Sequence, residues 1–179
     1  MIDNTFKINE KDLVTLEQLL EDTPIILNDD PKFDKEVKII YKLIPALLPN
    51  SKETHLLPHI GKDGAQIRYY VLTNKKLNNH FRFLFKKPNA SLFVISEVTY
   101  SEGGFALPHL DPDSKVTYNI MLEDKFEGGA VYLENELQDF KKRGDVIFFN
   151  GGKQLHEVKE ITKGKRKILS IWTKPSSVM

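Results

Sequence analysis

From residue 66 onward the chain consists of short runs rich in β-branched and aromatic residues, separated by turn residues. Runs of this kind are typical of strands with at least one buried face. Glycine pairs such as Gly103-Gly104 and Gly128-Gly129 lie between runs, where a residue without a side chain permits a tight connection. The predicted strands cover residues 66–72, 91–100, 116–122, 129–134, 145–149, 155–161 and 167–173. Their spacing predicts a β-sandwich or a jelly roll.

The first 65 residues carry a helical pattern instead. Leucines at positions 13, 16, 19 and 20 share one helix face, and Asn9 before them can cap the start of that helix. A second helix is predicted to begin at the Asp30-Pro31 pair and to continue to residue 48, with a kink or an early end at Pro45. We therefore expect an α+β fold that is mainly β, a double-stranded β-helix (jelly roll) with N-terminal helices packed on one sheet.

A length of 179 residues suits one domain with a buried core and is short for two. We predict a single domain over residues 1–179, with a helical support region at 1–65 and a jelly-roll core at 66–179. Residues 73–90 are polar and basic with an aromatic middle, so they fit a mobile lid over a pocket or a solvated connection with a short buried strand. We prefer the solvated connection.

Charged residues are almost balanced, with 26 Lys and Arg against 25 Asp and Glu and a formal net charge of +1. Bulk electrostatics therefore predicts no attraction to nucleic acid or to an anionic membrane. Residues 1–6 lack the features of a secretory signal, and no apolar run approaches membrane-spanning length, so we expect a cytoplasmic protein. The chain has no Cys, so any bound metal would be held by His, Asp or Glu.

His109 and Asp111 form a His-x-Asp pair. Residues i and i+2 of a strand project to the same side, about 6.5–7 Å apart, so the pair can chelate one ion. Pro112 cannot donate a ladder hydrogen bond and therefore suits a strand end. His156 lies 45 positions after Asp111, and an antiparallel sandwich can bring it beside the pair. Two imidazoles and one carboxylate are the ligand set associated with non-heme Fe(II) oxygenases.

The other candidates for metal ligands are weaker. Pro58 stands between His55 and His59 and sterically disfavours the regular helix that would align them. His80 lies in a basic segment without an acidic neighbour in sequence. Asp113 follows Pro112, beyond the predicted end of the strand, so we prefer Asp111.

Arg166 begins a predicted strand. Because side chains of a strand alternate between its two faces, those of Ile168, Ser170 and Trp172 lie on the same face as Arg166. An Arg on the inner wall of a small β-sandwich would be a buried charge in need of an anionic partner, and a dicarboxylate would supply one through paired hydrogen bonds. The alternative is an ordinary surface Arg within the basic run 163–167.

Short motifs follow one another in a fixed order between residues 92 and 173. They are Tyr100-x-x-Gly103-Gly104, His109-x-Asp111, Phe126-x-Gly128-Gly129, Gly144-Asp145, His156 and Gly164-x-Arg166, followed by Trp172. In this order of motifs the chain resembles the Fe(II)/2-oxoglutarate-dependent dioxygenases, and within them the prolyl 4-hydroxylase-like branch.

The resemblance implies that His109, Asp111 and His156 hold Fe(II). It implies further that Arg166 binds the distal carboxylate of 2-oxoglutarate, with the hydroxyls of Tyr100 and Ser170 as additional donors. Molecular oxygen is then the second cosubstrate and ascorbate a reductant. The implied reaction converts 2-oxoglutarate to succinate and carbon dioxide and hydroxylates a C–H bond of the substrate.

The implied substrate is a prolyl residue in a peptide or protein, or an amino acid. Asp111 favours hydroxylation, because halogenating relatives carry Gly or Ala at that position. Relatives that demethylate nucleic acids usually carry a further Arg where this chain has Trp172, so no nucleic-acid partner is expected. Two other classes stay open: a cupin-like sugar-binding or metal-storing module without redox chemistry, and a zinc-dependent hydrolase with the same three ligands.

The chain departs from the family pattern in two places. Met121 stands where many relatives carry a Tyr that contacts the cosubstrate, so this contact is missing or comes from Tyr100 or Tyr118. The segment between Gly104 and His109 is one residue longer than the commonest pattern, which predicts a bulge near the site.

Overall fold

The computed structural model describes residues 3–27, 30–43 and 65–174. Its helices are α1 (Glu10–Glu21), α2 (Asp34–Leu43) and α3 (Lys75–Phe85), with a 3-10 turn at Pro31–Phe33 before α2. Its strands are β1 (Thr5–Lys7), β2 (Ala65–Tyr69), β3 (Ser91–Tyr100), β4 (Ala106–His109), β5 (Val116–Glu123), β6 (Phe126–Gly128), β7 (Val131–Leu133), β8 (Glu136–Leu137), β9 (Asp145–Phe149), β10 (His156–Val158), β11 (Ile161–Gly164) and β12 (Arg166–Lys174). The predicted end of the second helix with Pro45, and the residues His55 and His59, lie outside the described residues.

The strands form two antiparallel sheets and a ribbon. The main sheet has six strands in the order β1-β9-β5-β12-β3-β2, and the small sheet has four in the order β4-β10-β7-β8. Strands β11 and β6 form the two-stranded ribbon. Buried side chains from both sheets, including Met121 of the main sheet and Leu133 of the small one, meet in one hydrophobic cluster. This is the predicted jelly roll.

The two faces of the main sheet carry different hydrophobic clusters. On β12, Ile168 and Trp172 belong to the inner cluster between the sheets, whereas Leu169 and Ile171 belong to the cluster on the outer face. The alternation follows from the pleat of a strand, which sends successive side chains to opposite faces. It confirms the predicted inward face of this strand.

Helix α1 begins as predicted and covers the outer face of the main sheet. Asn9 caps it, because its side-chain oxygen accepts a hydrogen bond from the backbone N–H of Asp12 at 2.8 Å. Its buried residues Leu13, Leu16 and Leu20 lie in the outer cluster. Helix α2 differs, since it contributes Val37 and Ile40 to the inner cluster.

The prediction of a connection over residues 73–90 was wrong, because this segment contains helix α3. Asn74 caps the helix at its start, and Lys86 ends it in the left-handed conformation. The buried residues of α3 recur at helical spacing and belong to the outer cluster: Leu77, Phe81, Leu84 and Phe85. The helix therefore packs on the face of the main sheet opposite the inner cluster, so it is not a lid over a space between the sheets.

The strand predicted over residues 155–161 is divided into β10 and β11, which have different partners: β10 pairs with β7, and β11 pairs with β6. The earlier segment that supplies these partners bends between β6 and β7, at Gly128 and Gly129, where φ is 79° and 68°. The later segment, which contains β10 and β11, forms backbone hydrogen bonds with residues on both sides of this bend. Its strand is therefore interrupted opposite the bend. The same bend shortens the strand predicted over 129–134.

The bulge predicted before the first candidate ligand is present. Opposite β10, His156 pairs with His109 and Val158 with Ala106, so β4 has one residue more than its partner over this stretch. Strands β1, β6 and β8 were not predicted, since each is only two or three residues long. None of the described helices combines the length and the apolar character needed to cross a membrane.

Candidate metal centre

The two candidate histidines face each other across neighbouring strands of the small sheet. His109 is the last residue of β4 and His156 the first of β10, and the register of these strands pairs them directly. Their ring centroids are 4.3 Å apart. The residues are far apart in sequence, and it is the pairing of β4 with β10 that brings the imidazoles together.

Asp111 joins the histidines from the turn after β4. The expectation that it continues the strand of His109 was wrong, because β4 ends at His109. Its backbone N–H instead donates to the carbonyl of Gly151 at 2.7 Å, which ties the turn to the segment after β9. The carboxylate oxygen Oδ1 of Asp111 then lies 3.1 Å from Nε2 of His156 and 3.8 Å from Nε2 of His109.

The three side chains could hold one metal ion. One candidate ligand atom from each of His109, Asp111 and His156 lies within 4.8 Å of the others. The Nδ1 atoms of His109 and His156 lie 2.6 Å and 2.9 Å from the carbonyl oxygens of Leu107 and Gln154. A carbonyl only accepts, so we assign the ring proton to Nδ1, which leaves the lone pair of each Nε2 directed at the cluster.

The pKa values of the two histidines move in opposite directions. Burial lowers the pKa of His109, and the neighbouring His156 lowers it further, against the attraction of Asp111. Burial is the largest effect on His156 and acts to lower its pKa. In the protonated ring, however, the hydrogen bond to Asp111, the negative charge of Asp111 and the hydrogen bond to the Gln154 carbonyl together outweigh burial, and the pKa is raised. Asp111 thus interacts more strongly with His156, in agreement with the shorter distance.

Two residues that the sequence interpretation missed hold Asp111 in place. Thr117 is fully buried, and its hydroxyl donates to Oδ2 of Asp111 at 2.8 Å. A Cβ atom added to Gly151 would lie 2.8 Å from the same Oδ2, so only Gly allows the backbone to approach so closely. Gly151 belongs to a glycine pair of the kind expected in any turn, and nothing in the local pattern distinguishes Thr117 from other strand residues.

Arg166 is buried at the start of β12, with 1% of its surface exposed. Its guanidinium carbon lies 5.3 Å from the ring centroid of Tyr100 and 5.7 Å from that of Phe140. The atoms Nε and Nη1 are buried and have no hydrogen-bond partner among the described residues. Burial lowers the pKa of Arg166 to about 10, against the favourable interaction with Tyr100. The surface alternative for Arg166 is therefore wrong.

Residues 95–174, which contain all of these side chains, match the family model described as the 2OG-Fe(II) oxygenase superfamily. This segment belongs to the 2OG-Fe(II) oxygenase superfamily. The match supports a 2-oxoglutarate-dependent oxygenase, and the cofactors that the superfamily implies are Fe(II), 2-oxoglutarate and O2. No curated protein sequence matches the chain.

Solved structures similar to this oxygenase include three prolyl hydroxylases. A collagen prolyl hydroxylase of Paramecium Bursaria Chlorella virus-1 has a TM-score of 0.55 and 15% identity over 96% of both chains. A prolyl-4-hydroxylase of Pseudomonas putida has a TM-score of 0.54 and 16% identity over 90% of this chain and 100% of that one. A prolyl hydroxylase of Trichoplax adhaerens, in complex with a peptide fragment of hypoxia inducible factor, has a TM-score of 0.54 and 15% identity over 96% of this chain and 84% of that one. At these identities the likeness shows the fold.

The residues of this oxygenase fit the implied cofactors. Two imidazole Nε2 atoms and one carboxylate oxygen converge, as an iron site with open coordination positions requires. A buried guanidinium whose Nε and Nη1 have no partner in the described part of the chain suits the free carboxylate of a 2-oxo diacid.

A pocket of the oxygenase fold lies beside the three candidate ligands. It is lined by these ligands and by Ile67, Tyr69, Ser96, Val98, Tyr100, Ala106, Leu110, Asn119, Val158, Ile168, Ser170 and Trp172. Of the predicted hydroxyl donors, Tyr100 and Ser170 are therefore both at the pocket. Tyr118 is not, because it lies in the outer cluster with its ring 3.8 Å from that of Phe85. Met121 is fully buried in the inner cluster.

Proposed function

We propose that this oxygenase hydroxylates a C–H bond of a prolyl residue in a peptide or protein, or of an amino acid. Fe(II) would bind to His109, Asp111 and His156. The distal carboxylate of 2-oxoglutarate would bind to Arg166. The observation that carries this proposal is the burial of Arg166 on the inner wall with two nitrogen atoms unpaired among the described residues, because an isolated buried cation requires an anion.

The inner face of the main sheet has the polarity pattern of such a cosubstrate. Cross-strand pairing defines three successive rows: Arg166 with Tyr100; Ile168 with Met121 and Val98; and Ser170 with Asn119 and Ser96. Successive rows are two residues apart on each strand, about 6.5–7 Å. The cation, the apolar row and the polar row follow the same order as the distal carboxylate, the two methylenes and the keto acid of 2-oxoglutarate.

The polar row is the one nearer to the candidate metal ligands. Thr117, which donates to Asp111, precedes Asn119 by two residues on β5 and projects to the same side. A keto acid with its keto and carboxylate oxygens toward the metal would therefore direct its distal carboxylate toward Arg166, whose long side chain would extend to meet it.

The side chains of this chain would bind and orient the reactants. His109, Asp111 and His156 would hold Fe(II), which together with bound 2-oxoglutarate would supply oxygen activation and C–H oxidation. Tyr100 and Ser170 offer hydroxyl donors to the cosubstrate. The apolar walls formed by Ile168 and Trp172 exclude water from the reacting centre.

Two observations support a peptide or amino-acid substrate. The similar structures named above are prolyl hydroxylases, one of them with a peptide fragment bound. The exposed side chains Leu107, Leu110 and Leu155 adjoin the two histidines, and an apolar surface beside the reacting centre suits a polypeptide more than a polyanion. The near-neutral net charge adds no support for nucleic acid.

The proposal is tested first by spectroscopy and then by product analysis. Under anaerobic conditions, Fe(II) with 2-oxoglutarate should give the weak visible charge-transfer band of a chelated keto acid. A non-redox cupin-like module or a zinc hydrolase would give no such band, and its absence would overturn the proposal.

Substrate class is tested by mass spectrometry of proline-containing peptides and free amino acids incubated with Fe(II), 2-oxoglutarate and O2. The expected product carries one additional oxygen atom and forms together with succinate. The same incubations with and without ascorbate measure the need for a reductant. Turnover with zinc in the absence of oxygen would favour the hydrolase instead.

A further inference from the structure

Asn119 is a polar residue of the pocket for which neither the sequence pattern nor the family resemblance gave a role. It lies on β5, opposite Ser170 of β12, and its side chain lines the pocket. The amide oxygen Oδ1 is buried and has no hydrogen-bond partner among the described residues. A buried amide oxygen without a partner is unfavourable, so this residue is suited to a bound molecule rather than to the stability of the free protein.

One neighbour of Asn119 in its row, Ser96, already has a hydrogen-bond partner. Ser96 donates its hydroxyl to the backbone carbonyl of Ser170 at 3.4 Å. Ser96 also pairs across strands with Tyr69, so polar side chains from four adjacent strands cross the floor of the pocket. The next row, which contains Ile168, is apolar, and Asn119 contributes a carboxamide to the polar row.

The position of Asn119 indicates which end of the cosubstrate it would bind. Asn119 lies on the same strand face as Thr117, which holds Asp111, and Thr117 is two residues away. Arg166 lies four residues from Ser170, the partner of Asn119, or about 13 Å along the strand. A group bound to Asn119 is therefore near the metal ligands and away from the guanidinium.

We propose that the carboxamide of Asn119 binds the keto-acid end of 2-oxoglutarate, by donating Nδ2–H to an oxygen of the carboxylate that chelates the metal. A half-turn about the Cβ–Cγ bond exchanges Oδ1 and Nδ2 at nearly the same positions, so the amide can present its donors to this oxygen. The inference rests on the proposed function and adds to it a residue that recognises the 2-oxo acid.

Two cosubstrate probes separate the two ends of the molecule. 2-Oxoglutarate has both the keto acid and the distal carboxylate, whereas 2-oxopentanoate has the same carbon chain without the distal carboxylate. Binding of each to the Mn(II)-loaded full chain is measured by calorimetry, and to the anaerobic Fe(II)-loaded chain by the charge-transfer band. Neither measurement depends on turnover.

The variants are Asn119→Leu, which removes the polar group at similar volume, and Asn119→Asp, which replaces the donor with a repelling carboxylate. We expect both variants to bind both acids at least about tenfold more weakly, with Asn119→Asp the weaker. Arg166→Met should weaken the binding of 2-oxoglutarate and leave the binding of 2-oxopentanoate unchanged. Tyr118→Phe, on the opposite face of the same strand, is the matched control and should bind both acids as the wild type does.

Thermal unfolding of the free protein distinguishes binding from a structural role. Because Oδ1 has no partner within residues 3–27, 30–43 and 65–174, we expect Asn119→Leu to unfold at the wild-type temperature or above it, although it binds keto acids less well. If the Asn119 variants bound both acids with unchanged affinity, or bound only 2-oxoglutarate more weakly, the inference would be overturned. If the wild type binds neither acid in the presence of metal, the proposed function fails and this inference with it. If the wild type binds both acids and the Asn119 variants bind them equally well, only the inference about Asn119 fails and the proposed function stands.

Discussion

The hydroxyl of Thr117 donates to Oδ2 of Asp111 at 2.8 Å, which leaves Oδ1 of the same carboxylate to face the two histidines. Ser114 adds to this contact, since its hydroxyl lies 2.9 Å from that of Thr117. The carboxylate of this candidate ligand is thus fixed in rotation by groups that do not themselves belong to the His109–Asp111–His156 cluster. Such supporting contacts determine both the geometry and the affinity of a metal site.

Thr117→Val should weaken Fe(II) or Mn(II) binding by about 10- to 100-fold, because the carboxylate of Asp111 loses the donor that orients it. Metal titration followed by calorimetry measures the effect. Thr117→Ser keeps the hydroxyl and should recover most of the affinity. Equal metal affinity of Thr117→Val and wild type would contradict an orienting role.

Gly151→Ala should lower both stability and metal affinity, since its Cβ would lie 2.8 Å from Oδ2 of Asp111. We expect a loss of about 1–3 kcal/mol in the free energy of unfolding from overpacking. The control is Gly103→Ala, where the added Cβ meets nothing within 4 Å although φ is +85°. It should lose stability through backbone strain and bind metal normally. A metal affinity lowered equally in both variants would argue against the close approach at Gly151.

Arg166→Met should abolish most binding of 2-oxoglutarate and leave metal affinity unchanged. Loss of one partner of a buried charged pair costs about 2–5 kcal/mol, which corresponds to roughly 30-fold or more in affinity. The free protein should be at least as stable as the wild type, because the substitution removes a buried cation whose Nε and Nη1 have no partner among the described residues. Calorimetric titrations of metal and cosubstrate, run separately, test both statements. Equal loss of the two affinities would show a disturbed pocket rather than a lost ion pair.

Phe81→Ala should destabilise the fold by about 3–5 kcal/mol without changing the affinity for 2-oxoglutarate, because α3 packs on the outer face of the main sheet. Phe83 on the same helix is 66% exposed, so Phe83→Ala should leave both quantities nearly unchanged. Denaturant unfolding and cosubstrate titration give the two readouts. A selective loss of cosubstrate affinity in Phe83→Ala would instead indicate that α3 reaches the pocket.

Asp145 should make the stability depend on pH in the acid range. It accepts hydrogen bonds from Nζ of Lys7 at 2.8 Å and from the backbone N–H of Lys142 at 3.0 Å. Burial alone would raise the pKa of its carboxyl, but these donors outweigh burial and hold the pKa below its usual range. The resulting stabilisation is present above the pKa of the unfolded chain and is lost as the pH falls through the lower folded-state pKa.

Asp145→Asn should therefore be less stable than the wild type at neutral pH by about 1–3 kcal/mol, with the difference shrinking in acid. Denaturant unfolding over a pH series measures it. Asp139→Asn, at an exposed position nearby, serves as the control and should follow the wild type. A difference for Asp145→Asn that stays constant down to the lowest pH would rule out the carboxylate as its source.

The sequence by itself determined the features that depend on neighbouring residues. The alternation of β12, with Ile168 and Trp172 inward and Leu169 and Ile171 outward, follows from the pleat of a strand and needs no tertiary information. The cap of α1 at Asn9 is equally local. The spacing of Leu77, Phe81, Leu84 and Phe85 carried the same kind of signal for α3, but the polar and basic residues around them led to the wrong prediction of a connection.

Only the tertiary structure decided which distant groups meet. Asp111 joins the two histidines because a turn after β4 bonds to Gly151 and because Thr117 of β5 orients its carboxylate, not because it continues a strand. That Asn119 holds a buried oxygen without a partner among the described residues likewise depends on what adjacent strands place around it. Periodicity assigns a side chain to a face, but the closing of one sheet on the other decides its partners, since these come from residues tens of positions away.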